Sequence, residues 1–99
     1  MAVELIVSPE AEDDLNEAYA WYEARRTGLG GDFLSRVDAC IQIICRSPEI
    51  HPCVQAEYRR ALVRRFPFAV FFEAVSNTVT VYAVFHTSRD PEKWRQRLK

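Results

Sequence analysis

Metal-independent cleavage of an RNA backbone needs three kinds of group. A base removes the 2′-hydroxyl proton, an acid protonates the departing 5′-oxygen, and cations hold the charged transition state. His86, with Tyr58 or Tyr82 and with Arg60 or Arg64, has the chemistry for those three roles. His86 closes the last apolar alternation of the chain, where strand ends commonly open onto functional surfaces, and Arg89 follows three residues later. Each residue also has a plain structural role: a lone histidine is most often a hydrogen-bonded strand-end residue, and both tyrosines suit cross-strand aromatic pairs. No nucleophile motif, phosphate-cradling glycine loop or paired-carboxylate signature accompanies them. On residue chemistry alone catalysis is unproven.

The least ordinary stretch is "YRRALVRRFPF", Tyr58 to Phe68. Strand alternation puts Arg60 and Arg64 on one face with Leu62, and Arg59 and Arg65 on the other with Ala61 and Val63. A sheet buried on one face does not tolerate arginine pairs on both faces along its whole length. The strand must be short, with its ends in water, or lie at an edge with arginine stems over apolar surface. Such a strand serves either as a charged edge that resists aggregation or as an anion-binding surface for phosphate or an acidic protein segment. Arg89, Lys93, Arg95 and Arg97 add positive charge from the tail.

Charge is unevenly divided. Up to Ile50 ten acids face four arginines, a net of −6; from His51 onward nine basic residues face four acids, a net of +5, for −1 in all. An acidic face and a basic face are expected, the basic one being the candidate for meeting an anion. Cys40, Cys45 and Cys53 are an odd number with no C-x-x-C pair, which suits a reducing cytoplasm. With His51 they match no common zinc spacing, so free thiols and no metal or cofactor are expected. "MAVELIVSPEAE" is no secretory signal, and no apolar run approaches membrane-spanning length.

The elements that must position these residues follow from pattern. With 48% hydrophobic residues in 99, one domain spanning residues 1–99 can bury roughly two thirds of its unfolded surface without metal or disulfide. "VELIV" reads as a strand stopped at Ser8-Pro9, where Ser8 caps a helix and Pro9 fits its first position. Ala11, Leu15, Ala18 and Tyr22 then recur at helical spacing, flanked by Tyr19 and by Trp21, which reads as a packing aromatic. "TGLGG" breaks that helix, and Asp32 is the expected start of a second with Phe33, Val37, Cys40, Ile41 and Ile44 on its apolar stripe. After a two-proline loop come three strand-like runs. In the last, Val79, Val81, Ala83 and Phe85 are expected to face one way, and Thr80, Tyr82, Val84 and His86 the other. Asp90 and Pro91 should open a short final helix on which Trp94 and Leu98 share a face. The order β-α-α-β-β-β-α is an α+β domain, a helical hairpin packed on a largely antiparallel sheet.

Over nearly its whole length the chain resembles the ParE/RelE superfamily of small toxins from bacterial type II toxin–antitoxin modules. The resemblance runs through "SPEAEDDLNEAYAWYE", "GLGGDFLSRVDACIQII", "RRALVRRFPFAVFFE" and "VYAVFHTSRDPEKWRQR". Its most specific part is R-R-F-P-F-x-V-x-F followed by H-x-x-R-D-P-x-x-W. RelE-like members are ribosome-dependent mRNA endonucleases, whereas ParE-like members poison DNA gyrase without a nuclease site. The ending here is similar to the ParE side and its plasmid-stabilisation relatives, and no tyrosine follows His86 and no lysine occupies the middle strands. The resemblance therefore implies a gyrase-binding toxin with a cognate antitoxin, and no sequence-specific DNA binding by this chain alone. The alternatives are an mRNA endonuclease on the ribosome, using His86, Arg60, Arg64 and Tyr82, and a non-toxic homologue kept as an antitoxin-binding protein. Arg59, Arg60, Arg64, Arg65, His86 and Arg89 are the expected target- or partner-binding residues. The Asp90-Pro91 step and Trp94 are expected to close the fold.

Overall fold

The computed structural model describes residues 3–88 and 91–98. The chain runs β1 (Glu4–Val7), α1 (Pro9–Arg25), α2 (Leu29–Arg46), a 3-10 turn (Pro48–Ile50), β2 (Cys53–Gln55), β3 (Tyr58–Leu62), β4 (Phe68–Val75), β5 (Thr78–His86) and α3 (Pro91–Arg97). One sheet of order β1-β5-β4-β3-β2 results, antiparallel except for β1, which lies parallel to β5. The α+β architecture and the helical hairpin agree with expectation. The two-proline loop holds an extra three-residue strand, β2, and the Asp90 cap lies outside the described residues.

Ser8 caps α1 as expected, its Oγ accepting from Ala11 N at 3.1 Å, with Pro9 in the first turn. Helix α2 starts three residues before Asp32, at Leu29, because Glu23 reaches forward from α1 as its cap. The Glu23 carboxylate accepts from Gly28 N at 2.9 Å and Gly30 N at 3.0 Å. Gly28 has φ +92°, the left-handed conformation glycine adopts without strain. Gly30 lies so close to α1 that an added Cβ would stand 2.8 Å from the Tyr19 carbonyl oxygen.

The hairpin covers one sheet face. Ala11, Ala18, Phe33, Val37, Ile41 and Ile44 pack there against Val70, Phe72, Val79, Val81 and Val84. Phe33 is surrounded by Tyr22, Phe66 and Phe68 rings at 5.0–5.4 Å between centroids. Burying a side chain such as Phe33 contributes about 2–3 kcal/mol. On the opposite face, the short helix α3 covers Ala69, Phe71, Ala83 and Phe85, with Leu98 buried among them. Trp94 stacks on Phe71 at 5.2 Å and 23°, the closing role expected of it.

The expected alternation along β5 is overturned by a bulge. Phe71 lies opposite Ala83 while Phe72 lies opposite Val81, so Tyr82 is an extra residue. The inserted residue reverses the side-chain phase. Val79 and Val81 share the helix-covered face with Val84, whereas Ala83 and Phe85 face α3.

Candidate functional site

The arginine-rich stretch is divided by the end of β3 at Leu62. Within the strand, Arg59 lies opposite Phe72 and Arg60 opposite Phe71, which puts their side chains on opposite faces. Arg59 is held in place: its Nη1 donates to the His51 carbonyl at 2.6 Å. The His51 ring meets Phe72 edge-on at 5.7 Å. Burial, followed by the Arg59 charge, pushes the His51 imidazole below its ordinary value, and its Nε2 is buried without a hydrogen bond. Arg59 and His51 thus form a structural unit linking β3 to the segment that precedes β2.

Arg64 and Arg65 lie past the strand, in the turn to β4. This turn is fixed by Val63 N donating to Phe68 O at 2.9 Å and by Phe66, whose ring meets Tyr22 at 5.0 Å. Arg65 sits at φ +70°, a conformation few non-glycine residues adopt. Both side chains are exposed. Arg65 lines a cavity of about 490 Å³ with Arg26, Asp32, Ser35 and Arg36, and Arg64 lines an adjoining one of about 80 Å³ with Arg36, Cys40 and His51. Arg36 is common to both. Neither Arg26 nor Arg36 was visible as a site residue, since both fall in the acidic half of the sequence.

His86 turns the other way, into a groove of about 280 Å³ between α1 and the sheet, lined by Asp14, Glu17, Trp21, Tyr22 and Phe68. Its ring lies edge-on to Phe68 at 5.3 Å. Nδ1 accepts from Ser88 N at 3.1 Å, and Ser88 Oγ lies 2.7 Å away. With Nδ1 accepting a backbone N–H, the neutral ring carries its proton on Nε2. Nδ1 is thus engaged by its own chain two residues on. Trp21, expected to be a packing aromatic, is instead 53% exposed at this groove, with the Arg25 guanidinium 3.9 Å above its ring.

Tyr58 and Tyr82 lie on the α3 side, ring to ring at 5.3 Å and 87°. Tyr82 Oη donates to Glu73 at 3.4 Å. Burial, then the neighbouring Glu73 charge, raises the Tyr82 phenol above its ordinary value and makes it harder to ionise. The histidine of the candidate nuclease set therefore faces α1, its tyrosines face α3, and Arg64 opens on a third surface. Arg89 lies outside the described residues.

A polar cluster that sequence reasoning missed sits at the edge of β5 beyond the end of β1. Asp14 accepts from Val84 N at 3.0 Å and forms a two-pronged ion pair with Arg97, at 3.0 and 3.3 Å. Arg97 also donates to the Tyr82 carbonyl at 3.1 Å, and its guanidinium lies 4.7 Å over the Phe85 ring. The signal was present: Asp14 lies three residues after Ala11 and four before Ala18, on the buried stripe of α1.

Among the described residues no group of three or more His, Cys, Asp or Glu side chains could hold a metal ion. Cys40 is buried, its thiol pushed up to about 11 by burial, and its Sγ donates to Leu62 O at 3.7 Å. No described helix is long and apolar enough to cross a membrane.

Residues 5–91 match the family model described as ParE toxin of type II toxin–antitoxin system, parDE. A solved structure titled "Chromosomal ParDE TA system from P. aeruginosa" is similar in fold, with a TM-score of 0.74 at 12% sequence identity. The alignment covers 85% of this chain and 95% of that one. No curated protein sequence matches the chain detectably.

Proposed function

The chain belongs to the ParE toxin family of type II toxin–antitoxin systems, and we propose from that premise that it arrests growth by binding and inhibiting DNA gyrase. A cognate antitoxin is its neutraliser, and the toxin carries out no bond cleavage of its own. One observation supports binding over cleavage: the groups a nuclease would need open on different surfaces. His86 lies in the α1 groove with Nδ1 engaged by Ser88. Tyr82 lies across the sheet in contact with Glu73 and Tyr58. General acid–base catalysis needs both groups within hydrogen-bond reach of one substrate.

The test is a gyrase supercoiling and DNA-cleavage assay with the purified full chain, with and without its antitoxin. Inhibition or trapped cleavage that the antitoxin reverses is expected. Folded, antitoxin-binding protein that leaves gyrase untouched but cleaves mRNA on translating ribosomes would overturn the reading. Protein inert in both assays that still binds antitoxin would identify a non-toxic homologue.

A further inference from the structure

We infer that Arg26, Arg36, Arg64 and Arg65 form a binding strip for the phosphodiester backbone of a nucleic acid. The inference does not depend on gyrase being the target. Four guanidinium groups come from three places in the chain: the α1–α2 turn, the body of α2 and the β3–β4 turn. They line two adjoining cavities joined at Arg36. Like charges gathered along two adjoining cavities repel one another, and an anion relieves that repulsion. Among the described residues no carboxylate pairs with Arg36, Arg64 or Arg65. Asp32 approaches only Arg26, at 3.8 Å with both side chains about two-thirds exposed, a geometry that contributes little and yields readily.

The charged part of the lining suits an anion that brings no hydrogen-bond donors of its own. The strip offers guanidinium N–H groups and the Ser35 hydroxyl, with Asp32 as its one carboxylate. A phosphodiester brings acceptor oxygens and no N–H donors, whereas an acidic peptide brings a backbone N–H with nearly every carbonyl. Arginine forks match phosphate oxygens two at a time. The strip is also pre-set: Arg65 is held at φ +70° in a turn anchored by Phe66 against Tyr22 and Phe33. The reach is short, since the strip spans only the α1–α2 turn, the first half of α2 and the β3–β4 turn. Contact with about three phosphates, without base reading, is the expected mode.

Fluorescence anisotropy of the full chain with a labelled DNA duplex and a labelled single-stranded RNA tests this. Three phosphates neutralised predict affinity falling about 40-fold for duplex, or about 20-fold for single strands, between about 50 and 200 mM salt. Arg26→Gln, Arg36→Gln and Arg65→Gln should each weaken binding severalfold and lower the salt slope by about 0.7–0.9. Arg95→Gln, on the far side of the sheet, should change neither. Preference for duplex assigns the backbone to DNA, preference for the single strand assigns it to RNA, and equal binding assigns both. Matching circular dichroism and melting temperature identify the folded variants, and any two of the three carry the test. The proposal is overturned by absence of binding at about 1 mM protein in low salt, against the 10⁻⁴–10⁻⁶ M range of non-specific complexes. It is equally overturned by binding indifferent to all the arginine changes, or by a glutamate-rich peptide that binds more tightly than either nucleic acid.

Discussion

Asp14 and Arg97, 83 positions apart, meet in a two-pronged ion pair at the free edge of β5, where the Asp14 carboxylate also accepts the Val84 N–H. Strand β1 ends opposite Val81, so the backbone groups of Tyr82 and Val84 would otherwise face outward without strand partners. Asp14 from α1 and Arg97 from α3 satisfy them instead, with the Ser8 hydroxyl also donating to the Tyr82 carbonyl at 3.4 Å, and the ion pair ties the last helix to the sheet.

Asp14→Ala should therefore cost more than an ordinary surface ion pair. The two side chains are only 11% and 26% exposed, and the change strands both a guanidinium and a backbone N–H. We expect a loss of about 2–3 kcal/mol in urea unfolding. Arg97→Ala should also destabilise, and the double variant should fall short of the sum by about 1 kcal/mol or more. Additive losses would show the contact to be incidental.

Adjacent glycines in the hairpin should respond in opposite directions. A methyl group at Gly31 meets nothing within 4 Å, whereas at Gly30 it stands 2.8 Å from a carbonyl oxygen of α1. Gly31→Ala should raise stability by up to about 1 kcal/mol through helix propensity. Gly30→Ala should lower it by about 1–3 kcal/mol, because two packed helices must move apart. Thermal melts of the two variants read the contrast directly.

Local rules carried much of the fold. Ser8 and Pro9 announced the start of α1, and the apolar stripe from Phe33 to Ile44 announced the face that α2 buries. Legibility failed where a distant group or an insertion set the outcome. The start of α2 depends on Glu23, five and seven residues before the amides it caps. The phase of β5 depends on an extra residue at Tyr82, which no period-two pattern reveals. Alternation put Arg64 and Arg65 on strand faces, but β3 ends at Leu62, as the short-strand alternative had it, and both belong to the exposed turn beyond. Arg26 and Arg36 join that turn only through packing of the hairpin.

Cys40 gives the fold a sensitivity to alkali. Its thiol rises from an ordinary value of 9.0 to about 11 in the folded chain, so the folded state holds the proton more tightly than the unfolded state. The associated stability is fully present below about pH 9 and lost as pH rises toward 11, amounting to about 2–3 kcal/mol. Tyr22 and Tyr82 are raised by burial as well and add to the same limb. Cys40→Ala should remove the cysteine share, leaving a shallower decline between pH 9 and 11 in denaturant titrations. An unchanged slope would mean that the thiol ionises as freely in the folded chain as in the unfolded one.

His86 separates a binding toxin from a cleaving one. Its ring packs edge-on against Phe68 and its Nδ1 accepts from Ser88, roles that stabilise a strand end. His86→Ala should cost about 0.5–1.5 kcal/mol in stability and leave growth arrest on induction close to that of the parent. Arg64→Ala, in the exposed turn, should weaken arrest while leaving the melting temperature within a few degrees. The pair of measurements is a viable count after induction and a melt of each purified variant. Arrest abolished by His86→Ala, with fold and antitoxin affinity intact, would instead put a proton transfer at this histidine and require the groove beside Asp14 and Glu17 to hold the reacting group.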